Sequence, residues 1–130
     1  MTSMLLNDKT TPYTSSEVKT VGTNGEKLMA WRRARGITRV TFAKIANCSE
    51  RKMATYEKQE TLPAPVSRQT MEAVRLLNAL EGIIPVNELP GWLASPNPGF
   101  DDRSPLEVID AGESDLLWDM IYQTRESAYA

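Results

Sequence analysis

An all-α fold is the prediction for this chain: a helix-turn-helix unit near the N-terminus and a small helical domain behind it. Three observations carry that prediction. Residues 37–58, ITRVTFAKIANCSERKMATYEK, place their apolar side chains as two short helices joined by a tight turn. Residues 67–81 carry one apolar stripe at helical spacing, and Ser104-Pro105-Leu106-Glu107 has the form of a helix start. With 130 residues, 41% of them hydrophobic, the chain can make one compact domain or two small helical ones that share a core. The expected division is an N-terminal arm over 1–24, the helix-turn-helix region over 25–62 and a C-terminal helical domain over 66–130.

Residues 1–24 are rich in Thr and Ser, with Met4, Leu5 and Leu6 as the one apolar cluster and no sustained periodicity. The expectation there is a flexible or partner-ordered arm. In the next region Phe42, Ile45 and Ala46 recur at three-to-four spacing, and Ala43 is small enough for close helix approach. Asn47 tolerates the left-handed backbone that ends a helix sharply, Cys48 is small and apolar enough to plug the turn, and Ser49 suits the N-cap of a second helix. On that helix Met53 and Tyr56 face back toward the first. Glu50, Arg51, Lys52, Thr55 and Lys58 remain outward, polar groups able to reach base edges and phosphates in a major groove. The alternative for this stretch is an ordinary helical hairpin with a solvated charged face.

The TLPAP stretch, Thr61 to Pro65, breaks the chain, because prolines remove donors and push their predecessors out of the helical region. Ser67 is the expected N-cap of a helix running to about Glu81 and ended by Gly82. Met71, Val74, Leu77 and Leu80 form its stripe, widened by Ala73 and Leu76, and serve as core or as an oligomer seam. Asn87 is expected to cap a short helix with Leu89, Trp92 and Leu93, followed by a rigid turn at Ser95-Pro96-Asn97-Pro98-Gly99. Ser104 at an N-cap, Pro105 at the first helical position and Glu107 three residues after the serine predict a capping box, with that helix ending near Gly112. A last helix from about Asp115 carries Leu117, Met120 and Ile121 on one face and Trp118 and Tyr122 on another. Either that helix docks with Trp118 buried, or Trp118, Tyr122 and the tail around Tyr129 present an aromatic, acidic surface to a protein partner.

Charge is segregated along the chain. The whole is at minus two, yet residues 26–58 hold nine Lys or Arg against three acids, and residues 101–130 hold eight acids against Arg103 and Arg125. One end suits a polyanion and the other does not. A single cysteine excludes an internal disulfide, and the absence of histidine removes the commonest metal ligand and general base. With no phosphate-cradling glycine loop either, the expectation is a protein without catalysis, metal or cofactor. No long apolar run or signal-like N-terminus is present, and a cytoplasmic location is expected.

Residues 37–58 also resemble the Cro/repressor-type (Xre) helix-turn-helix through Ile37-Thr38-Arg39, Ala43, Asn47 and the closing Tyr56-Glu57, with Leu28, Trp31 and Arg35-Gly36 resembling that family's first helix and its glycine stop. Arg39 stands where a glutamine usually grips phosphate, Asn47 replaces the turn glycine, and Glu50 opens the second helix with an acid. Arginine also holds phosphate. Glu50 either accepts from a cytosine amine or merely favours the positive helix end. Farther on, Trp92-Leu93, Pro96-Asn97-Pro98, Arg103 and Pro105-Leu106-Glu107 are similar to the C-terminal toxin-binding domain of the MbcA/ParS/Xre antitoxins, with Asp101-Asp102 in the place of two glycines.

The resemblance implies an antitoxin of a type II toxin-antitoxin pair. Its partner would be a cognate toxin, RES-type and NAD-consuming or ADP-ribosyltransferase-like, whose active site the C-terminal domain blocks while the helix-turn-helix represses the operon by binding operator DNA. Arg39, Arg51, Lys52, Thr55 and Lys58, with Glu50, are the expected DNA-binding residues, and Trp118, Tyr122, Arg125 and Tyr129 the expected toxin-binding ones. A homodimer within a larger complex is expected, since a two-fold pair reads two half-sites. The alternative is a stand-alone helix-turn-helix repressor whose C-terminal domain only dimerises.

Overall fold

The computed structural model describes residues 16–129, and these form an all-helical protein. In chain order the elements are α1 (Ser16–Gly22), α2 (Gly25–Ala34), α3 (Arg39–Ile45), α4 (Glu50–Tyr56), α5 (Ala64–Glu81), α6 (Leu89–Ala94), a 3-10 turn (Pro98–Phe100), α7 (Pro105–Asp110) and α8 (Ser114–Tyr129). Extended pairing among the described residues is an isolated antiparallel bridge between Asn97 and Arg103.

Helix α5 is the hub. Its 18 residues bury Val74, Leu77 and Leu80 of the predicted stripe, with Ala73 and Leu76 beside them and Ala79 in addition, while Met71 is only partly buried. Helices α1 and α8 both pack on it. One cluster of buried side chains runs from Val18 in α1 through Phe42 and Met53 in the α3–α4 pair to Val108, Leu117 and Ile121 in α7 and α8. The TLPAP stretch therefore separates helices without separating cores. Leu62 within it is buried, and its amide donates to the Thr23 carbonyl at 3.0 Å, strapping the linker to the turn after α1.

Three local expectations are corrected. The arm expected over 1–24 is a helix over Ser16–Gly22, with Val18 and Val21 buried against the rest of the core; residues 1–15 lie outside the described part of the chain. Two apolar side chains three apart in a polar segment are too weak a periodicity to be noticed without the surface that receives them. Helix α5 begins at Ala64 rather than after Ser67. Pro65 sits in its first turn, where a missing N–H leaves no bond unmade, and buried Ser67 donates its hydroxyl to the Ala64 carbonyl at 3.2 Å. The cap position of α6 is held by Glu88 and not Asn87, with no side-chain capping bond.

Other punctuation is as predicted. Ser104 and Glu107 form the full capping box, Ser104 N donating to Glu107 Oε1 at 2.7 Å and Glu107 N to Ser104 Oγ at 3.1 Å. Just before it, Asn97 Oδ1 accepts from Gly99 N at 2.8 Å, and Asp101 and Asp102 both take left-handed backbone at φ 58° and 64°. That is the conformation in which glycine is at ease and other residues are strained.

Of the glycines, Gly25 at the start of α2 has the least room for a side chain. Gly25 N donates to the Gln59 carbonyl at 2.9 Å, and a Cβ at this position would lie 2.0 Å from the Tyr56 carbonyl oxygen. Both the obstructing atom and the helix that carries it are backbone, so neither rotates away. Gly25→Ala is expected to lower stability by about 3 kcal/mol, the severe end of overpacking, measured as the drop in the urea midpoint times the m-value.

Candidate functional site

The α3–α4 pair is assembled from short-range bonds. Thr38 caps α3, its hydroxyl accepting from Thr41 N at 3.2 Å. Asn47 ends that helix at φ 59°, and Cys48 N donates back to the Ala43 carbonyl at 3.0 Å. The half-buried Cys48 side chain packs on the core, and burial pushes its thiol pKa up against the opposing pull of Lys52. Ser49 then caps α4, accepting from Lys52 N at 3.1 Å. Met53 is fully buried, whereas Tyr56 is half-buried.

What fastens this pair to the rest of the molecule is a buried ion-pair network at the end of α4. Glu57 is 2% exposed. Arg32 of α2, 5% exposed, meets it with two bonds, Nε to Oε2 at 2.6 Å and Nη2 to Oε1 at 2.9 Å, and donates a third to the Ile37 carbonyl at 3.2 Å. Arg39 of α3 adds a bond from Nε to Oε1 at 3.0 Å. Burial alone would raise the Glu57 carboxyl, but hydrogen bonds from Arg32 and Arg39, reinforced by their charges, hold it below the usual carboxylate range. Beside this network the Arg35 guanidinium lies 4.0 Å from the centre of the Trp31 ring and pairs with Glu81 of α5.

These pairs change the meaning of the basic block. Arg32, Arg35 and Arg39 are engaged inside the protein, while Lys27, Arg33, Lys44, Arg51, Lys52 and Lys58 are exposed. Among the residues expected on DNA, Glu50, Arg51, Lys52, Thr55 and Lys58 stand together in solvent on or just after α4. The Thr55 hydroxyl donates to the Arg51 carbonyl at 3.3 Å, which leaves its oxygen free to act only as an acceptor. Arg39 lies apart from them. Its side chain keeps 34% exposure, but its Nε is committed to Glu57. Sequence reasoning missed this role for Arg32 and Arg39. Tyr56-Glu57 was its visible half, and nothing in the spacing tells which of several arginines a buried glutamate will select.

On α8, Leu117 and Ile121 are fully buried, Trp118 is half-buried against the core, and Tyr122 is 51% exposed. The two rings stack at 6.1 Å between centroids. Trp118 thus packs partly inward while Tyr122 presents its ring to solvent. Arg125 is half-buried one turn farther on, and the Tyr129 side chain lies outside the described residues. The α3–α4 pair and α8 are not independent of one another, since α3 packs on α7 and α7 packs on α8. No protein-family model, no curated protein and no solved structure matches this chain.

Replacing Glu57 with Ala leaves Arg32 buried without a counter-charge and is expected to cost about 3–5 kcal/mol, read from urea unfolding. The pH dependence has a definite sign. Because the folded-state pKa lies below the unfolded value of about 4.3, the stabilisation by Glu57 is complete above that value and fades as pH falls through the lower, folded one. The urea midpoint is expected to drop below about pH 4, and that drop is expected to be smaller in Glu57→Gln.

Proposed function

We propose that this chain is the antitoxin of a type II toxin-antitoxin pair. It would neutralise a RES-type, NAD-consuming toxin by covering its active site, and repress its own operon through the α3–α4 helix-turn-helix. One observation carries the DNA half of the reading: a capped α4 that buries Met53 while holding Glu50, Arg51, Lys52, Thr55 and Lys58 in solvent, locked in place by the Arg32–Glu57–Arg39 network. A short helix with a fixed orientation and an outward polar row is what a major groove accepts. The exposed cations around it supply the sequence-independent attraction to phosphate.

The toxin half is supported by the second module. The left-handed pair Asp101-Asp102 holds the backbone that two glycines take most easily, which is the residue pair that the MbcA/ParS/Xre pattern carries at this point. The capping box behind it is formed by the Ser104 and Glu107 that flank Pro105-Leu106, the next part of the same pattern. In this mechanism the chain makes and breaks no bond. It acts by occupancy, Trp118 and Tyr122 with Arg125 and Tyr129 meeting the toxin, and a homodimer spacing two copies of α4 for two operator half-sites.

Two experiments test the halves separately. Reversing Arg51 and Lys52 to Glu is expected to abolish the gel shift of the chain's own promoter DNA while thermal unfolding stays unchanged, and wild-type binding is expected to weaken steeply between about 50 and 200 mM salt. A gel shift that survives the double reversal refutes α4 as the reader. Co-expression with the neighbouring toxin gene is expected to restore growth and yield a co-eluting complex. Failure of both leaves the chain a stand-alone repressor.

A further inference from the structure

The start of α2 and the end of α4 meet at a peptide bond with a chemistry of its own. Asn24 is the asparagine that a glycine follows; the others precede Asp8, Cys48, Ala79, Glu88 and Pro98. An asparagine loses its side-chain amide when the backbone nitrogen of the next residue attacks its Cγ. Glycine leaves that attack unhindered, because no Cβ stands beside the nitrogen, and proline forbids it for want of an N–H. The fold asks for both residues here. Asn24 caps α2, its Oδ1 accepting from Lys27 N at 2.9 Å, and any Cβ on residue 25 would lie 2.0 Å from the Tyr56 carbonyl oxygen. The reactive pair is thus a by-product of packing α2 against α4, and the same packing restrains it. Gly25 is buried and its N–H donates to the Gln59 carbonyl at 2.9 Å, a proton that the nitrogen has to surrender before it can attack. The cap bond to Lys27 N holds the other reacting group in place, while Asn24 itself is half-buried and open to water on one side.

We propose that Asn24-Gly25 is a deamidation site gated by the contact between α2 and α4: inert while the contact is closed, and reacting irreversibly, to a product that prevents closure, once local opening frees the Gly25 N–H. In the reaction a bond forms between Gly25 N and Asn24 Cγ, the bond from Cγ to Nδ2 breaks, and Nδ2 leaves as ammonia with the proton that Gly25 N gives up. The cyclic imide has no hydrogen on that nitrogen, so the bond to the Gln59 carbonyl is lost at this step. Water then opens the ring at one of its two carbonyls. Opening at Cγ restores the backbone and leaves an aspartate, which caps a helix as well as asparagine does. Opening at the Asn24 backbone carbonyl leaves isoaspartate, whose main chain runs through Cβ and Cγ and is one atom longer, immediately before a residue that has no room to shift. The chain thereby keeps a permanent record of the opening of the contact that places α4. The inference stands apart from the antitoxin reading, since it needs only the packing of α2 on α4.

The test incubates the full-length chain at one mildly alkaline pH, native and in denaturing guanidinium chloride, and follows aspartate and isoaspartate at position 24 by peptide mass spectrometry. Deamidation is expected to be at least about a hundredfold slower in the native chain, and the ratio is expected to match the hydrogen-exchange protection of the Gly25 amide, because both reactions need that N–H released. Chains aged in denaturant, separated into their two products and refolded, are then compared by urea unfolding and by exchange at Gly25. The aspartate form and the Asn24→Asp variant are expected to match wild type, whereas the isoaspartate form is expected to lose the Gly25 protection and to unfold at lower urea or fail to refold. Asn24→Ser, which keeps a capping oxygen and has no amide to lose, is expected to show wild-type stability and no conversion. Equal rates in the native and denatured chains, or a native rate far above what Gly25 exchange allows, overturn the gate. A denatured chain in which Asn24 stays intact overturns the site. An isoaspartate form with the wild-type midpoint and Gly25 protection overturns the claim that the product prevents closure.

Discussion

Two guanidinium groups from two helices converge on the Glu57 carboxylate at the end of a third, and the placement of the α3–α4 pair depends on them. Taking these charges out of water is costly, and the cost is recovered only where geometry is good and the remaining polar atoms are satisfied. Here Arg32 grips with a bidentate fork and gives a further bond to the Ile37 carbonyl, so each of its three nitrogens donates to a fixed acceptor. A carboxylate held from two directions fixes the end of α4 against α2 and α3.

The remaining architecture reads as support for that constraint. Gly25 lets the start of α2 press against the end of α4, which brings Arg32 within reach of Glu57. Arg35 is clamped between the Trp31 ring and Glu81, tying α2 to the hub α5. On the other side α3 leans on α7, whose capping box and preceding left-handed pair hold a sharp turn in the chain. The exposed row on α4 and the outward face of α8 therefore belong to one packed body, with a single buried cluster between them.

Much of this was legible along the chain because its causes are local. The left-handed Asn47, the Ser49 cap and the Ser104-Glu107 box each involve residues within four positions of one another, and the chemistry of a single side chain decides them. The α5 stripe was legible because burial on one side of a long helix repeats every turn. Helix α1 was not, since its two valines mean nothing until α5 offers them a surface. The start of α5 was misplaced for a related reason. Ser67 has the chemistry of a cap, and only the path of the preceding turn shows that Pro65 already lies inside the helix.

The arginines mark the boundary most clearly. In sequence, Arg32, Arg35, Arg39, Arg51 and Lys52 are equivalent members of one basic block, and their summed charge predicts an affinity for polyanions. Folding divides them. Arg32 disappears into the core, Arg35 spans two helices, Arg39 gives its Nε to Glu57, and Arg51 and Lys52 stay in water. What the sequence determined by itself was where helices begin, end and turn, because caps and periodicity act over one or two turns. Which charges hold the fold and which face outward was decided only by tertiary structure, because a charge's role depends on desolvation and on partners as much as 46 residues away, as in the Arg35–Glu81 pair.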